Sequence, residues 1–205
     1  MKNLRMPRRV HWALLILLAL SQSTPSAGRQ GRGSTSNDRR GEASSSDESS
    51  SRVERLAKMV AGNWTVRVTS EPTSEKPKHR NETGTSRIHY GPGKLSLIED
   101  YRTEGDSGPR QALGVFWWDA AAQGYRSMFC DNLDPDGCSL YDGVGKWEGS
   151  DLVFHFVFRD MDKQVQMREV LTRTSANSFT ARFYTKEKSG EELLRTVEHT
   201  RSELP

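Results

Sequence analysis

Residues 114–137 read GVFWWDAAAQGYRSMFCDNLDPDG and predict two antiparallel strands joined by a short turn. Apolar side chains occupy alternate positions from Leu113 to Trp118, and the alternation resumes at Tyr125 after the small residues of 120–124. Large apolar groups lie on both faces of the first strand, which favours a curled sheet with one face against a core. This hairpin indicates an all-β fold, and the rest of the domain continues its pattern.

Short strands with period-two alternation recur through residues 64–201 at the spacing that is typical of an all-β sandwich or barrel. Sequential hairpins favour a single antiparallel up-and-down barrel of about ten strands, because closure removes exposed edges. In a barrel of this size the interior is filled by side chains or holds one small ligand. The predicted strands lie near residues 64–69, 82–90, 95–102, 113–118, 125–130, 139–141, 147, 151–159, 163–174, 178–185 and 192–201.

A short amphipathic helix is predicted before the first strand. Residues 51–61 place Val53, Leu56 and Val60 on one helical face, and Gly62 follows as a glycine typical of a helix C-terminus. We expect the apolar face of this helix to pack into the barrel, so that the helix caps one end of it.

The first 27 residues have the layout of a secretory signal peptide, with a basic start, an apolar run at 12–20 and small polar residues. The run is about half of the ~20 residues that a membrane-spanning helix needs, so cleavage is favoured over an uncleaved anchor. Residues 28–51 lack large apolar side chains and predict a disordered spacer rich in Ser, Gly and Arg. Residues 52–205 then form one barrel domain, secreted or periplasmic, without a stable membrane span after cleavage.

The net charge of the exported part gives no support to a nucleic-acid partner. The full chain is formally +3, and residues 1–27 carry four basic and no acidic side chains, so residues 28–205 are +3 − 4 = −1. Nucleic-acid-binding domains present a basic patch to the phosphates. No such basic cluster is left in the predicted barrel.

Two cysteines, Cys130 and Cys138, flank a turn-rich segment, and in an oxidising compartment they predict a disulfide. A bridge across so short a loop stabilises a protein by about 2–3 kcal/mol. The turn between them, residues 132–137, also matches the first half of a calcium loop. The twelfth position of such a loop is Gly143 rather than a bidentate glutamate, so a tight structural turn is the favoured interpretation.

Several motifs, by their order and spacing, resemble one known family. On these motifs residues 52–201 are similar to the family called domain of unknown function 1579. The resemblance implies a calycin-like antiparallel barrel, akin to lipocalins and fatty-acid-binding proteins, and it implies no catalytic residues. The motifs are Leu56-x-x-Met59-x-x-Gly62-x-Trp64, Gly84-Thr85, Trp118-Asp119 with Tyr125 and Asp131 after it, Ser189-Gly190 and a terminal Thr200-Arg201.

Charged and aromatic side chains within the predicted strands are the candidates for a ligand site. Arg168 and Arg195 could bind a ligand carboxylate through paired hydrogen bonds if they face inward, or form cross-strand ion pairs if they face outward. Trp64, Trp117 and Trp118 could supply an aromatic lining. The two adjacent tryptophans point to opposite faces, and a period of two does not say which of them faces inward.

His199 is a further candidate ligand-binding residue. His155 and His199 both lie in alternating strands, and an inward-facing histidine could be the axial ligand of a haem. The commoner role of such a histidine is a hydrogen bond to a neighbouring strand, so no cofactor is predicted. The sequence contains no G-x-S-x-G, H-E-x-x-H or phosphate-loop motif, and no catalytic residue is predicted.

The sequence therefore predicts a secreted β-barrel that binds a small apolar or amphipathic molecule, fatty-acid-like, without catalysis. One alternative is a haem-binding barrel enzyme that uses a strand histidine. The other is a structural or interaction protein of the cell envelope, with the barrel as a stable head. The oligomeric state is not indicated by any pattern in the chain.

Overall fold

The computed structural model of the protein describes residues 39–72, 77–106, 108–133, 137–160, 163–187 and 190–202. The predicted signal peptide and residues 28–38 of the predicted spacer lie outside this part of the chain. So do Asp134 and Asp136 of the turn that resembles a calcium loop. Within the described ranges, no helix combines the length and the apolar content that crossing a bilayer requires.

The described chain forms one helix followed by eleven strands, with a single turn of 3-10 helix at Pro92–Lys94. Each strand that the sequence predicted is present, with bounds that differ by a few residues. The elements are α1 (Arg39–Val60), β1 (Gly62–Ser70), β2 (Arg80–Tyr90), β3 (Ser96–Gly105), β4 (Arg110–Asp119), β5 (Gly124–Asp131), β6 (Cys138–Leu140), β7 (Val144–Glu148), β8 (Asp151–Asp160), β9 (Lys163–Ser175), β10 (Ser178–Glu187) and β11 (Gly190–Arg201).

Antiparallel pairing closes the strands into a barrel. Strand β1 pairs with both β2 and β11, so the two ends of the domain lie side by side. Consecutive strands pair from β1 to β5 and again from β7 to β11. Strand β5 joins the two runs, because it pairs with β4, with the three-residue β6 and, through Tyr125 and Gly145, with β7. Ten strands thus form a closed ring, and the predicted up-and-down barrel is confirmed.

Alternation along each strand decides which side chains reach the interior. In β1, Trp64, Val66 and Val68 are buried, whereas Thr65 and Arg67 are exposed. The buried residues join those of the other strands in one core. A shift of one residue in the pairing would move every one of these side chains to the opposite face, so burial specifies the register.

Helix α1 covers one end of the barrel, as the sequence predicts. Leu56 and Val60 are 1% and 3% exposed and belong to the barrel core. The hydroxyl of Tyr125 donates a hydrogen bond to the backbone carbonyl of Arg52 at 2.8 Å, which holds the helix against β5. The helix therefore acts as a plug whose apolar face completes the core.

The helix begins at Arg39 and not at the predicted residue 51. Residues 39–51, which the sequence predicted as part of a disordered spacer, are helical. Residues 46–48 are exposed and residues 49 and 50 are half-buried, so these five positions of the helix bury little surface. Propagation of an existing helix adds one hydrogen bond for each residue fixed, so the buried second half supports a polar first half. Glu48 and Arg52 add an ion pair of 3.5 Å one helical turn apart.

The junction between α1 and β1 is held by a glycine and a tryptophan. Gly62 has a φ of +144°, a conformation that favours glycine because other residues are strained there. The indole N–H of Trp64 donates a hydrogen bond to the carbonyl of Val60 at 2.8 Å. Its ring packs edge-on against Phe179 of β10 at 4.9 Å between ring centres. Trp64 thus ties the end of the helix to two parts of the barrel.

The predicted disulfide between Cys130 and Cys138 is present, and that prediction is confirmed. The two residues face each other in the antiparallel pairing of β5 and β6. The bridge therefore joins the end of β5 to the start of β6.

We expect Leu56→Ala to lower the free energy of unfolding by about 2–5 kcal/mol, since it removes a buried side chain from the helix that plugs the barrel. Lys58→Ala is the matched control on the exposed face of the same helix, where Lys58 forms an ion pair with Glu54 at 3.1 Å. It should change stability by less than about 0.5 kcal/mol. Urea unfolding measures both, and equal losses would contradict the assigned role of the helix.

Candidate ligand-binding cavity

The barrel encloses a cavity of about 590 Å³, within the range of about 300–1,000 Å³ that small-molecule sites occupy. The end nearest α1 is bounded by Leu56 and Val60. Apolar side chains from the strands form most of its wall, and they include Ile88, Phe116, Phe129, Leu171, Phe179 and Val197.

A carboxyl group on β3, that of Glu99, lines this cavity and is 5% exposed. The hydroxyl of Ser86 on β2 donates a hydrogen bond to Glu99 Oε1 at 2.6 Å. Burial raises the pKa of Glu99 to about 7, and the hydrogen bond from Ser86 acts in the opposite direction. Gly114 lies opposite on β4, where a Cβ atom would be 3.2 Å from Glu99 Oε2. The glycine therefore leaves room for the carboxyl group inside the barrel.

A second buried carboxyl group, that of Glu169 on β9, lines the same cavity and is 5% exposed. Its Oε2 atom has no hydrogen-bond partner among the described residues. Burial, and then the charge of Glu99, raises the pKa of Glu169 to about 8. Burial thus raises the pKa of both carboxyl groups into the range around neutral pH.

The imidazole of His199 lies beside the first of these acids, with Nε2 at 3.9 Å from Glu99 Oε1. Its ring stacks on Phe179 at 4.0 Å between ring centres, and Trp64 lies edge-on at 6.4 Å. Burial lowers the pKa of His199 to about 3. The histidine is therefore a neutral, packed ring that presents a nitrogen to the polar part of the cavity.

Three arginines line the cavity towards the end opposite α1. Arg80 and Arg110 are the first residues of β2 and β4, and Arg195 pairs with Ser70 at the end of β1. Arg110 forms an ion pair with Asp131 on the neighbouring β5. Burial, and then the charge of Arg110, lowers the pKa of Arg195. Several positive charges thus lie close together at this end of the cavity, which favours the binding of an anionic group.

Glu82 supplies the opposite charge at the same end. Its Oε2 accepts a hydrogen bond from the hydroxyl of Thr103 at 2.7 Å, and the residue is 6% exposed. The charge of Glu82 acts on Arg195 in the direction that raises the arginine's pKa, so the two groups partly compensate each other. The cavity is consequently polar in two regions, one with arginines at the end opposite α1 and one with Glu99 and Glu169.

The structure places the residues that the sequence singled out in three locations. Arg195 and His199 line the cavity. Trp64 is buried in the core and contacts His199, but it does not line the cavity. Trp118 packs partly buried against the core, 5.2 Å from the ring of Tyr125 between ring centres. It also lies outside the cavity.

Trp117 and Arg168 lie on the outer face of the barrel, which is one of the two orientations that the period of two left open. Trp117 alternates with the inward-facing Phe116 and Trp118 on β4. Arg168 alternates with the buried Glu169 on β9 and forms two hydrogen bonds to Glu191, at 2.7 and 2.8 Å. This is the cross-strand ion pair that the sequence offered as the alternative.

Sequence reasoning missed Glu99, Glu82 and Arg110 as site residues. The alternation along β3 carries a signal for Glu99, because this residue shares a strand face with Leu97 and Tyr101, which are both buried. The actual partners of Glu99 come from β9 and β11, which no local pattern identifies.

The fold and the cavity together define a calycin-like β-barrel protein. The family model described as "Protein of unknown function (DUF1579)" matches residues 48–201, so the chain belongs to this family. The resemblance seen in the sequence is confirmed. A search of curated proteins found no match.

Solved structures are similar to this chain at low sequence identity. An S-type phycobiliprotein lyase, CPES from Guillardia theta, is 11% identical with a TM-score of 0.52, over 75% of this chain and 94% of its own. A de novo designed fluorescence-activating β-barrel is 16% identical with a TM-score of 0.39, over 72% of this chain and 97% of its own. At these identities the likeness concerns the barrel and not its ligand.

We expect the stability of the protein to fall between pH 6.5 and 8. Glu169 holds its proton to about pH 8 when folded, against an ordinary pKa of 4.5, so the unfolded chain binds fewer protons here. His199, with its ordinary pKa of 6.5, acts in the opposite direction only at lower pH. Between pH 6.5 and 8, the free energy of unfolding of Glu169→Gln should therefore increase by about 2 kcal/mol relative to that of the wild type. Urea unfolding at both pH values would measure this difference.

The control for this experiment is Glu104→Gln, which alters an exposed carboxyl on the same strand as Glu99. Its stability should follow that of the wild type at both pH values. Parallel behaviour of Glu169→Gln and the wild type would mean that Glu169 is ionised in the folded protein at pH 6.5.

Proposed function

We propose that this protein binds a small amphipathic molecule with an acidic head group, such as a fatty acid, inside its barrel without catalysing a reaction. The observation that carries the proposal is the cavity of about 590 Å³, whose walls are mainly apolar and whose end opposite α1 carries three arginines. The family and the shared barrel fold are consistent with small-ligand binding.

The apolar wall supplies the affinity in this proposal. Aromatic and aliphatic side chains such as Phe116, Phe129 and Leu171 line the space that an alkyl chain would occupy. Burial of apolar surface contributes roughly 25 cal/mol for each Å², so about 200 Å² of ligand surface contributes on the order of 5 kcal/mol before the cost of association. An alkyl chain or a fused ring system of modest size meets this requirement.

The arginines decide the orientation of the ligand. The positive charge of Arg110 acts on Arg195, and the negative charge of Glu82 offsets part of this effect. A guanidinium group can bind a carboxylate through two parallel hydrogen bonds. Glu99 and Glu169 lie in the same cavity and would repel an anion when ionised. We therefore place the acidic head at the arginine end and the apolar body towards α1.

An extracytoplasmic location is part of the proposal. The disulfide between Cys130 and Cys138 supports it, because such bridges persist in oxidising compartments. Secretion through the signal peptide at 1–27 stays a prediction from the sequence.

The haem-binding alternative has less support. His155 is exposed on the outer face, and His199 is stacked on Phe179 with Nε2 beside Glu99. A haem titration of the full chain would test this alternative, and a Soret band that His199→Ala abolishes would favour it over the fatty-acid-like ligand. The envelope-protein alternative stays a prediction, which stable self-association in solution would favour.

Displacement of a fluorescent amphipathic anion, 1-anilinonaphthalene-8-sulfonate, by dodecanoate tests the proposal. We expect Arg195→Gln to weaken dodecanoate binding by about 10- to 100-fold, since a hydrogen bond to a charged group contributes about 1.5–3 kcal/mol. Arg168→Gln is the matched control, because Arg168 is an arginine on the outer face. It should leave the affinity within about twofold of the wild type.

The wild type must first bind the probe and release it on addition of dodecanoate. Equal loss in Arg195→Gln and Arg168→Gln would contradict the assigned role of Arg195. No binding of either molecule by the wild type would contradict a ligand site in the cavity.

A further inference from the structure

Glu99 and Glu169 are two acidic groups in an apolar cavity, and neither forms an ion pair with a basic lysine or arginine side chain among the described residues. Both are 5% exposed and line the same space. Glu169 Oε2 has no hydrogen-bond partner among the described residues, although the side chain is buried. Buried polar groups are almost always satisfied in native proteins, so such an atom calls for an explanation.

The groups that face these two acids come from every side of the cavity. Strand β2 contributes Ser86, whose hydroxyl already donates to Glu99 Oε1, and β11 contributes His199. Strand β4 contributes Arg110, whose positive charge lowers the pKa of Glu99. Arg110 itself forms an ion pair with Asp131. Tyr141 lines the cavity, and the charge of Glu169 contributes to raising the pKa of its hydroxyl group. Arg195 pairs with Ser70 at the end of β1, and the charge of Glu82 acts on it.

We propose that Glu99 and Glu169 form a second polar site in the cavity that binds a positively charged nitrogen of the ligand. The ligand class is then an amphipathic amine, with an acidic group at the arginine end when the molecule carries one. The inference rests on the proposed function, because it requires that the cavity takes a ligand, and it adds the chemistry of the ligand's inner part.

Charge compensation distinguishes a cation from a neutral hydrogen-bond acceptor at this site. Two carboxylates in one apolar space repel each other, and the ionisation of Glu99 opposes that of Glu169. One ammonium group relieves this repulsion and offers three N–H donors to the free carboxylate oxygens. A neutral acceptor would bind only to the protonated acids and would not stabilise their ionised forms.

The backbone opposite Glu99 leaves room for the carboxyl group of this residue at the proposed site. Gly114 has no side chain, and a Cβ there would be 3.0 Å from Phe129 Cζ and 3.2 Å from Glu99 Oε2. Glu169 lies between Phe154 and Phe183 on the neighbouring strands. The acids are thus set among aromatic rings, which can also contact a cation through their faces.

Calorimetric titration of the full chain with octylammonium, octanol and octanoate tests the proposal, since the three probes differ mainly in the head group. At pH 8 we expect octylammonium to bind at least tenfold more tightly than octanol. Glu169→Gln should weaken octylammonium binding at least tenfold and change octanol binding by less than twofold. Glu99→Gln should act in the same direction, and Glu198→Gln, on the exposed face of β11, is the matched control.

The dependence on pH gives a readout that a structural role would not change. An alkylammonium group stays charged to about pH 10, like a lysine side chain. Its binding should displace a proton from the acids, so octylammonium affinity should rise between pH 6 and 8, by up to about tenfold for each pH unit. Titrations in two buffers with different ionisation enthalpies would show this proton release, which Glu169→Gln should reduce.

Two failures are distinguishable. If octanol and octanoate bind and octylammonium is no tighter than octanol, or Glu169→Gln leaves its affinity unchanged, the cation site is overturned and the proposed ligand cavity stands. If none of the three probes binds the folded wild type, both the cation site and the ligand cavity are overturned.

Discussion

The pairing of β1 with β11 is the contact on which the rest of the structure depends. It places Trp64 opposite Arg201 and Ser70 opposite Arg195, and so joins the two ends of the domain. Because side chains alternate with a period of two, this one register fixes the inner face of both strands. Without the pairing, the sheet would have two open edges and would enclose no cavity.

Closure produces an interior with two kinds of packing. Next to α1 the interior is a dense core, where the ring of Trp64 contacts Phe179 and His199. Beside this core, inward-facing positions carry Glu99, which is 3.9 Å from His199, and Glu169, and the burial of both acids costs free energy. The apolar core near the helix offsets this cost, and it leaves the polar part of the interior available for a ligand. Such local departures from a fully apolar interior are typical of functional sites.

Much of the fold could be predicted from the sequence, because alternation is a local property. The strands, the helical cap and the disulfide are all present where the residues indicated them. The site was predicted less completely. Arg195 and His199 do line the cavity, but Arg168 lies outside it, since a period of two identifies two faces without saying which one is inner.

The sequence by itself determined that each strand has one apolar face and that the chain returns on itself in hairpins, because both follow from neighbouring residues. Only the tertiary structure decided which charged residues share the interior. Glu99 and Glu169 are 70 positions apart in the sequence (169 − 99), and closure of the barrel brings them to one cavity. Their pKa values are raised mainly by burial, and Glu99 adds to the effect on Glu169. Burial and proximity are properties of the closed barrel, so no local pattern could express them.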